Sequence, residues 1–480
     1  MTGRAVALLT MLSFSLAVLA GCSGKPSQDA PATPGDTAAG WALDCSLGSF
    51  ELAHDPAWAQ PCEVRASHTD GSKTEMWIAV NPTDARNVII GAKDLNPESS
   101  GNCVWNGLSV THDGGETWRD VTIGGKYSER SPTDPTFGYA CNTDPMFQFT
   151  ADGAVHYGVE MYDLLGIDKN SPPPANAGFA PGWKVLLATS HDGGDTWPDL
   201  VTYHPDLLTV SDYSRMTINP ATQSIVESIG SGLVTCHVMV STDGGKTALF
   251  YNAVSPDGVP CSSNNGAIAG SPDGTLVIVG NDIAARSTDD GKTWVDSNPV
   301  FTFKGIQQFK ESEYRNGSNL ELAYDLSAGA GKGTLYAAYG AADRDEADVY
   351  ARSSTDDGRT WSEPVLVNDD AEGTHQWMPN VAVAGDGSVH VVFMDKRYDP
   401  EHRLIDITDA VSTDGGRTWT NHRISSVSYD GELGVHQDGG PFIGDYLGVA
   451  AAGDHVWAGF PDASNGQVPS TAAAHLHRTS

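Results

Sequence analysis

One eight-residue pattern recurs six times in this chain and leaves few folds open to it. It reads THDGGETW at 111–118, SHDGGDTW at 190–197, STDGGKTA at 241–248, STDDGKTW at 287–294, STDDGRTW at 354–361 and STDGGRTW at 412–419. The third copy carries Ala248 where the others carry Trp. Each copy is a tight turn between strands: Ser or Thr and Asp hydrogen-bond the turn's own backbone, Gly accepts positive φ, and Trp buries a large surface between neighbouring units. Strand-rich units recurring every 40 to 80 residues or so make a β-propeller, in which each four-stranded blade covers its neighbour's open face.

A second repeat predicts the blade number. Before each turn stands a hairpin of two apolar strands, at 76–92, 146–160, 216–229, 267–281, 320–340 and 381–394. A seventh hairpin, 447–460, has no such turn after it, and the chain ends where one would begin. The expectation is therefore all-β, a seven-bladed propeller whose last blade takes its outer strand from residues near 62–68, which removes the open sheet edge.

The six turns resemble the Asp boxes of the sialidase (neuraminidase) superfamily and its bacterial neuraminidase-repeat relatives, a resemblance covering residues 75–480. In that family the boxes lie at the blade periphery, away from the catalytic face, so the resemblance places the six box aspartates in structural roles. The family's propellers are six-bladed, which makes six the alternative count and sets a count of seven apart from a plain sialidase.

The N-terminus carries an address. Arg4 precedes an apolar run from Ala5 to Ala20, the form of a secretion signal. Leu19-Ala20-Gly21-Cys22 resembles a bacterial lipobox, implying cleavage before Cys22 and lipidation of its thiol. Residues 1–21 are read as signal peptide, 22–40 (rich in Pro, Ser, Gly and Ala) as a flexible tether, and 41–480 as one propeller domain. An envelope-anchored protein facing periplasm or exterior follows, and there the six remaining cysteines favour disulfides over metal ligation. Sequence neighbours pair as Cys45 with Cys62, Cys103 with Cys141, and Cys236 with Cys261, although spacing alone does not fix the pairing.

The charge balance is 28 Lys+Arg against 61 Asp+Glu, or −33. That excludes nucleic acid and anionic membrane as partners, because phosphate contact needs clustered positive charge. The membrane is then reached only through the lipid, and a monomer is expected.

Chemistry belongs on the face where first strands start and second strands end, built from loops on a rigid frame. First-strand starts supply Glu75, Asp144, Arg215, Asn265, Asn319, Asn380 and Asp445, and second-strand ends supply Asp94, Asp163, Asp282, Asp343, Asp395 and Asp462. A residue repeated in nearly every blade reads as a strand-end device, so function should break the symmetry. Arg344 and Arg397 do so, and they look like two of the three arginines with which sialidases clamp a substrate carboxylate. Tyr446, opening the last blade, is similar to the family's nucleophilic tyrosine. The resemblance implies a Glu beside it, with Glu313 or Glu321 as candidates, and an acid/base Asp that corresponds at best to Asp94. The family's first arginine is missing: its place reads Thr74-Glu75-Met76-Trp77-Ile78.

Other chemistries remain open. His375 and His436 precede the first strands of blades six and seven, and with Tyr446 and Arg397 they could serve a polysaccharide lyase. Arg215, His375, His436 and Asp445 are candidate ligand contacts. No cofactor is required, but Glu75 and Asp144, with Asp445, could hold Ca²⁺, a hard cation that prefers oxygen ligands. Two functions stand at this point. One is a glycan-processing, sialidase-like exo-glycosidase acting on an acidic sugar, and the other is a surface propeller that binds glycan or protein without turnover.

Overall fold

The computed structural model describes residues 62–67, 73–94, 105–124, 133, 135–136, 141–162, 183–203, 211–231, 236–252, 267–280, 283–344, 346–371, 373–425, 428–433, 435–437, 440–462 and 470–477. Residues 1–40, where a signal peptide, the lipidated Cys22 and a tether are expected, lie outside them. So do Cys45, Cys103 and Cys261, one member of each expected disulfide.

Seven four-stranded antiparallel sheets follow one another along the chain. Their innermost strands are Lys73–Val80, Cys141–Phe149, Ser211–Ile218, Ala267–Gly270, Leu320–Tyr324, Gln376–Val383 and Gly448–Ala452, which define blades one to seven. Consecutive inner strands touch around the ring, and that of blade seven packs on that of blade one. In blade seven the fourth strand is Cys62–Arg65, antiparallel to Ser470–His477 with Cys62 opposite His475 and Arg65 opposite Ala472. The protein is a seven-bladed β-propeller.

Second strands such as Val88–Asp94 and Val389–Asp395 are buried along their whole length. They read as nearly continuous apolar runs, without alternation, because a neighbouring blade covers each of their faces. Gly91 shows how close that approach is: a Cβ there would lie 2.5 Å from the Phe147 ring of the next blade.

All six repeated turns close in the same way. In the last, Gly416 N–H donates to Ser412 Oγ (2.8 Å), which in turn donates to Asp414 Oδ1 (2.8 Å). Thr418 closes the ring, its N–H on Asp414 Oδ1 at 2.9 Å and its hydroxyl on Oδ2 at 2.6 Å. These turns also clamp blades together. Asn87 of blade one donates to Gly193 O in the turn of blade two (2.9 Å), and Trp118 meets Trp457 of blade seven edge-on at 6.2 Å.

Partial burial raises the Asp414 pKa, but the bonds from Thr418 and Ser412 outweigh it and leave the group at about 2. Its folded value is thus below its unfolded one, so its stabilising effect is present above about pH 4 and is lost as pH falls towards 2. Asp414→Ala should cost about 1–2 kcal/mol in urea unfolding at pH 7 and much less at pH 2.5.

Candidate functional site

Among the described residues four inner strands are bulged near their starts, and the bulges shape the face where those strands begin. Two residues face one at Glu75–Met76, Asp144–Pro145, Tyr213–Ser214 and Met378–Pro379. Glu75, Asp144 and Met378 take φ of 55°, 55° and 51°, a region that disfavours side chains and clusters at functional sites. The bulges turn Glu75 and Asp144 towards each other and towards Asp445, so that burial, followed by those two charges, holds the Glu75 pKa well above the ordinary range. Lys93 Nζ opposes the shift from 3.0 Å. A lysine ammonium thus supplies positive charge where Ca²⁺ was considered. Among the described residues no group of three or more His, Cys, Asp or Glu is arranged to hold a metal.

Beneath this layer lies an ion pair that joins blades three and five. Arg215 Nε donates to both oxygens of Glu321 (2.9 and 3.0 Å), and Nη1 donates to Ser214 O at 2.9 Å. The guanidinium sits 4.6 Å from the centroid of Tyr446 and 5.2 Å from Trp77, whose rings meet edge-on at 6.2 Å. Tyr446 therefore has a guanidinium against its ring, but that of Arg215. It is 1 % exposed, and Arg215 is 2 % exposed. Of the two candidate glutamates, Glu321 reaches this cluster through Arg215. Glu313 is exposed, its N–H donating to Glu432 Oε1 at 2.9 Å.

Arg344 and Arg397 converge on each other, over Asp370, at 3.9 and 3.7 Å. Each is held more closely by another carboxylate: Arg344 by Asp348, Arg397 by Asp369 and by Asp395 at 2.6 Å. Asn368 and Gln376 tie Asp348, Asp370 and Asp395 into one network. Asp94 pairs with Lys73 at 2.9 Å, and the two stand directly opposite in the sheet, a strand-end role.

His375 stacks on Phe309 at 4.1 Å, with Nδ1 3.0 Å from Glu311 and Nε2 3.3 Å from Glu346. Glu311 also binds the buried Lys396 at 3.1 Å. Burial pushes that lysine's pKa down, and the bond it donates to Glu311 resists. Glu311 lies on a strap, residues 303–319, that crosses this face from blade four to blade five. Arg315 on the same strap pairs with Asp445, the residue before Tyr446. His436 lies in the strand Val435–Gln437, and its side chain is outside the described residues.

Two further constellations carry no sequence motif. Ser388, His390 and Asp409 have the spacing of a hydrolase triad, with Ser388 Oγ 3.3 Å from His390 Nε2 and His390 Nδ1 3.0 Å from Asp409. However, the Ser388 proton is directed to Asp386 Oδ1 at 2.6 Å, and all three members are buried. The arrangement orders a turn and activates no nucleophile. The second is a carboxyl pair between blades two and three, Glu160 and Glu227. Ser214 donates to Glu160, and burial, then the Glu160 charge, raises the Glu227 pKa strongly.

Two predictions follow from these buried groups. Glu321→Ala strands a buried guanidinium and should cost about 3–5 kcal/mol in chemical unfolding. Glu227 behaves oppositely, because its folded pKa is raised. Its unfolded form ionises near about pH 4.3 while the native form stays protonated, so stability is fully present below that pH and falls as pH rises. Glu227→Gln should therefore stabilise by about 1 kcal/mol or more at pH 7 and give no gain at pH 4, read from paired thermal melts.

No protein-family model matches the chain, and no curated protein matches it. Several solved structures resemble it. One is a protein of unknown function from Dyadobacter fermentans, at 14 % identity over 88 % of this chain and 100 % of that one, with a TM-score of 0.47. Another is a leech intramolecular trans-sialidase complexed with 2,7-anhydro-Neu5Ac, at 14 % identity over 76 % and 69 %, TM-score 0.46. A third is the intramolecular trans-sialidase of Ruminococcus gnavus, at 13 % identity over 74 % and 95 %, TM-score 0.45. At such identities no residue role passes from them to this chain.

Proposed function

We propose that this protein is an envelope-anchored propeller, tethered through a lipidated Cys22, that binds a neutral or amino-sugar glycan at the face where its inner strands begin and does not turn it over. One observation carries the reading: among the described residues, every guanidinium offered there to a substrate carboxylate already has a protein carboxylate. Arg215 is held by Glu321, Arg344 by Asp348, Arg397 by Asp369 and Asp395, and Arg315 by Asp445. The chain's net charge of −33 disfavours an anionic sugar and favours a neutral or cationic one. The glycan class rests on the resemblance of the six turns to Asp boxes.

A second reading, turnover by Tyr446, is favoured by Arg215 at 4.6 Å, a cation placed to stabilise a phenolate. It requires the strap and the Arg315–Asp445 pair to move aside before a sugar reaches the ring.

The two readings separate in one set of assays on purified protein. Calorimetric titration with chitosan oligomers and neutral glucans should give binding at least tenfold tighter than with sialyllactose or polygalacturonate. None of the four should be cleaved. Tyr446→Phe, which removes only a hydroxyl, should leave binding within about twofold. Cleavage that disappears in Tyr446→Phe would establish the enzymatic reading instead.

A further inference from the structure

The propeller axis contains a cavity of about 450 Å³ on the side of the Arg215–Glu321 pair remote from the expected site. All seven blades line it, chiefly through aliphatic and aromatic side chains such as Val80, Phe149, Ile218, Ile268, Val383 and Val449. Its rim is made of the turns between first and second strands, with Pro82, Ala151 and Leu326 exposed there and Leu326 52 % exposed. The repeated turns stand at this same end, since Gly114 N–H donates to Arg86 O at 3.0 Å in the turn after the first inner strand. Arg215, Glu321, Trp77 and Asn380 line the opposite end. The cavity therefore opens on the face with the repeated turns and ends at the buried ion pair.

We propose that this axial cavity is a second ligand site, distinct from the glycan face, and that it takes a slender uncharged molecule with an apolar body and one hydrogen-bonding end. The volume falls in the range of small-molecule pockets, and in its walls apolar surface modestly exceeds polar surface, with Gln148, Thr217, Gln223 and Asn380 among the lining residues. Charge decides the class of occupant. Arg215 and Glu321 are the only charged side chains among the described residues that line the cavity, and they neutralise each other through two short contacts to Nε. An anion reaching the floor faces the Glu321 carboxylate, and a cation faces Arg215. Either must break a desolvated pair to gain a partner, whereas a neutral molecule leaves the pair intact and gains the apolar walls. The amide of Asn380, whose Nδ2 donates to Leu447 O at 2.7 Å, and the ion pair itself offer hydrogen bonds to the inner end of such a ligand. The inference is independent of the glycan reading, because the two sites open on opposite faces.

A matched pair of dyes tests it. N-phenyl-1-naphthylamine is neutral and fluoresces strongly out of water, and 8-anilino-1-naphthalenesulfonate has the same rings with an added sulfonate. The full chain, carrying Cys22→Ser so that no acyl group competes, should bind the neutral dye saturably at one site and the sulfonate at least tenfold more weakly. Ala323→Phe and Ala451→Phe each enlarge a half-buried residue that lines the cavity, on blades five and seven. Either variant, with unchanged circular dichroism, should bind the neutral dye at least tenfold more weakly while keeping glycan binding. The proposal is overturned by non-saturable binding of the neutral dye, by equal affinity for the sulfonate, or by unchanged affinity in a folded cavity-filled variant.

Discussion

A sheet that is apolar on both faces is stable only where both faces are covered, and in this chain seven such sheets follow one another. A ring is the arrangement in which each covers the next without remainder. The other features follow from that constraint. Second strands become runs such as Leu276–Gly280, buried wherever their side chains are described, because no position on them faces water. Gly91 is Gly because Phe147 of the next blade occupies the space of its side chain. The repeated turns reach from each blade to its predecessor, as Gly193 does to Asn87, so that a purely local motif ends up holding two units together.

The same closure explains the chemistry at the axis. Inner strands converge there, and polar groups at their starts are carried out of water by their neighbours. A buried charge in that position persists only when paired and hydrogen-bonded. Arg215 meets Glu321, Lys93 meets Glu75, and Lys73 meets Asp94, while the excess of acid is accommodated by protonation, as at Glu227. The result, among the described residues, is an axis at which these cations are internally neutralised.

The sequence shows some of this plainly and hides the rest for physical reasons. The turns and hairpins are local: their Ser, Asp, Gly and Thr lie within eight residues of one another, so the blade number can be counted from the chain. The strand-end aspartates are equally local in effect, Asp395 holding Gln376 across one hairpin. The axial pair is not local, because Arg215 and Glu321 lie 106 residues apart and meet only when the ring closes. The convergence of Glu75, Asp144 and Asp445 could be read from their shared place at strand starts, but not the lysine beside them. Arg344 and Arg397 do adjoin each other, as their equivalent loops suggest, yet their carboxylate partners Asp348 and Asp369 sit on strands and loops that the resemblance does not address. Two of the bulges carry a proline in the strand, Pro145 and Pro379, but Glu75, Asp144 and Met378 adopt positive φ without the glycine that would signal it.

Tyr446, the tyrosine that a sialidase-like enzyme would use, is sealed behind an internally neutralised cation. Nitration of the native protein by tetranitromethane, followed by peptide mass mapping, reports on that seal. Tyr446, at 1 % exposure beneath Arg215, should remain unmodified while part-exposed Tyr251 is nitrated, and should react only after unfolding. Nitration of Tyr446 in the folded protein at the rate of Tyr251 would contradict it.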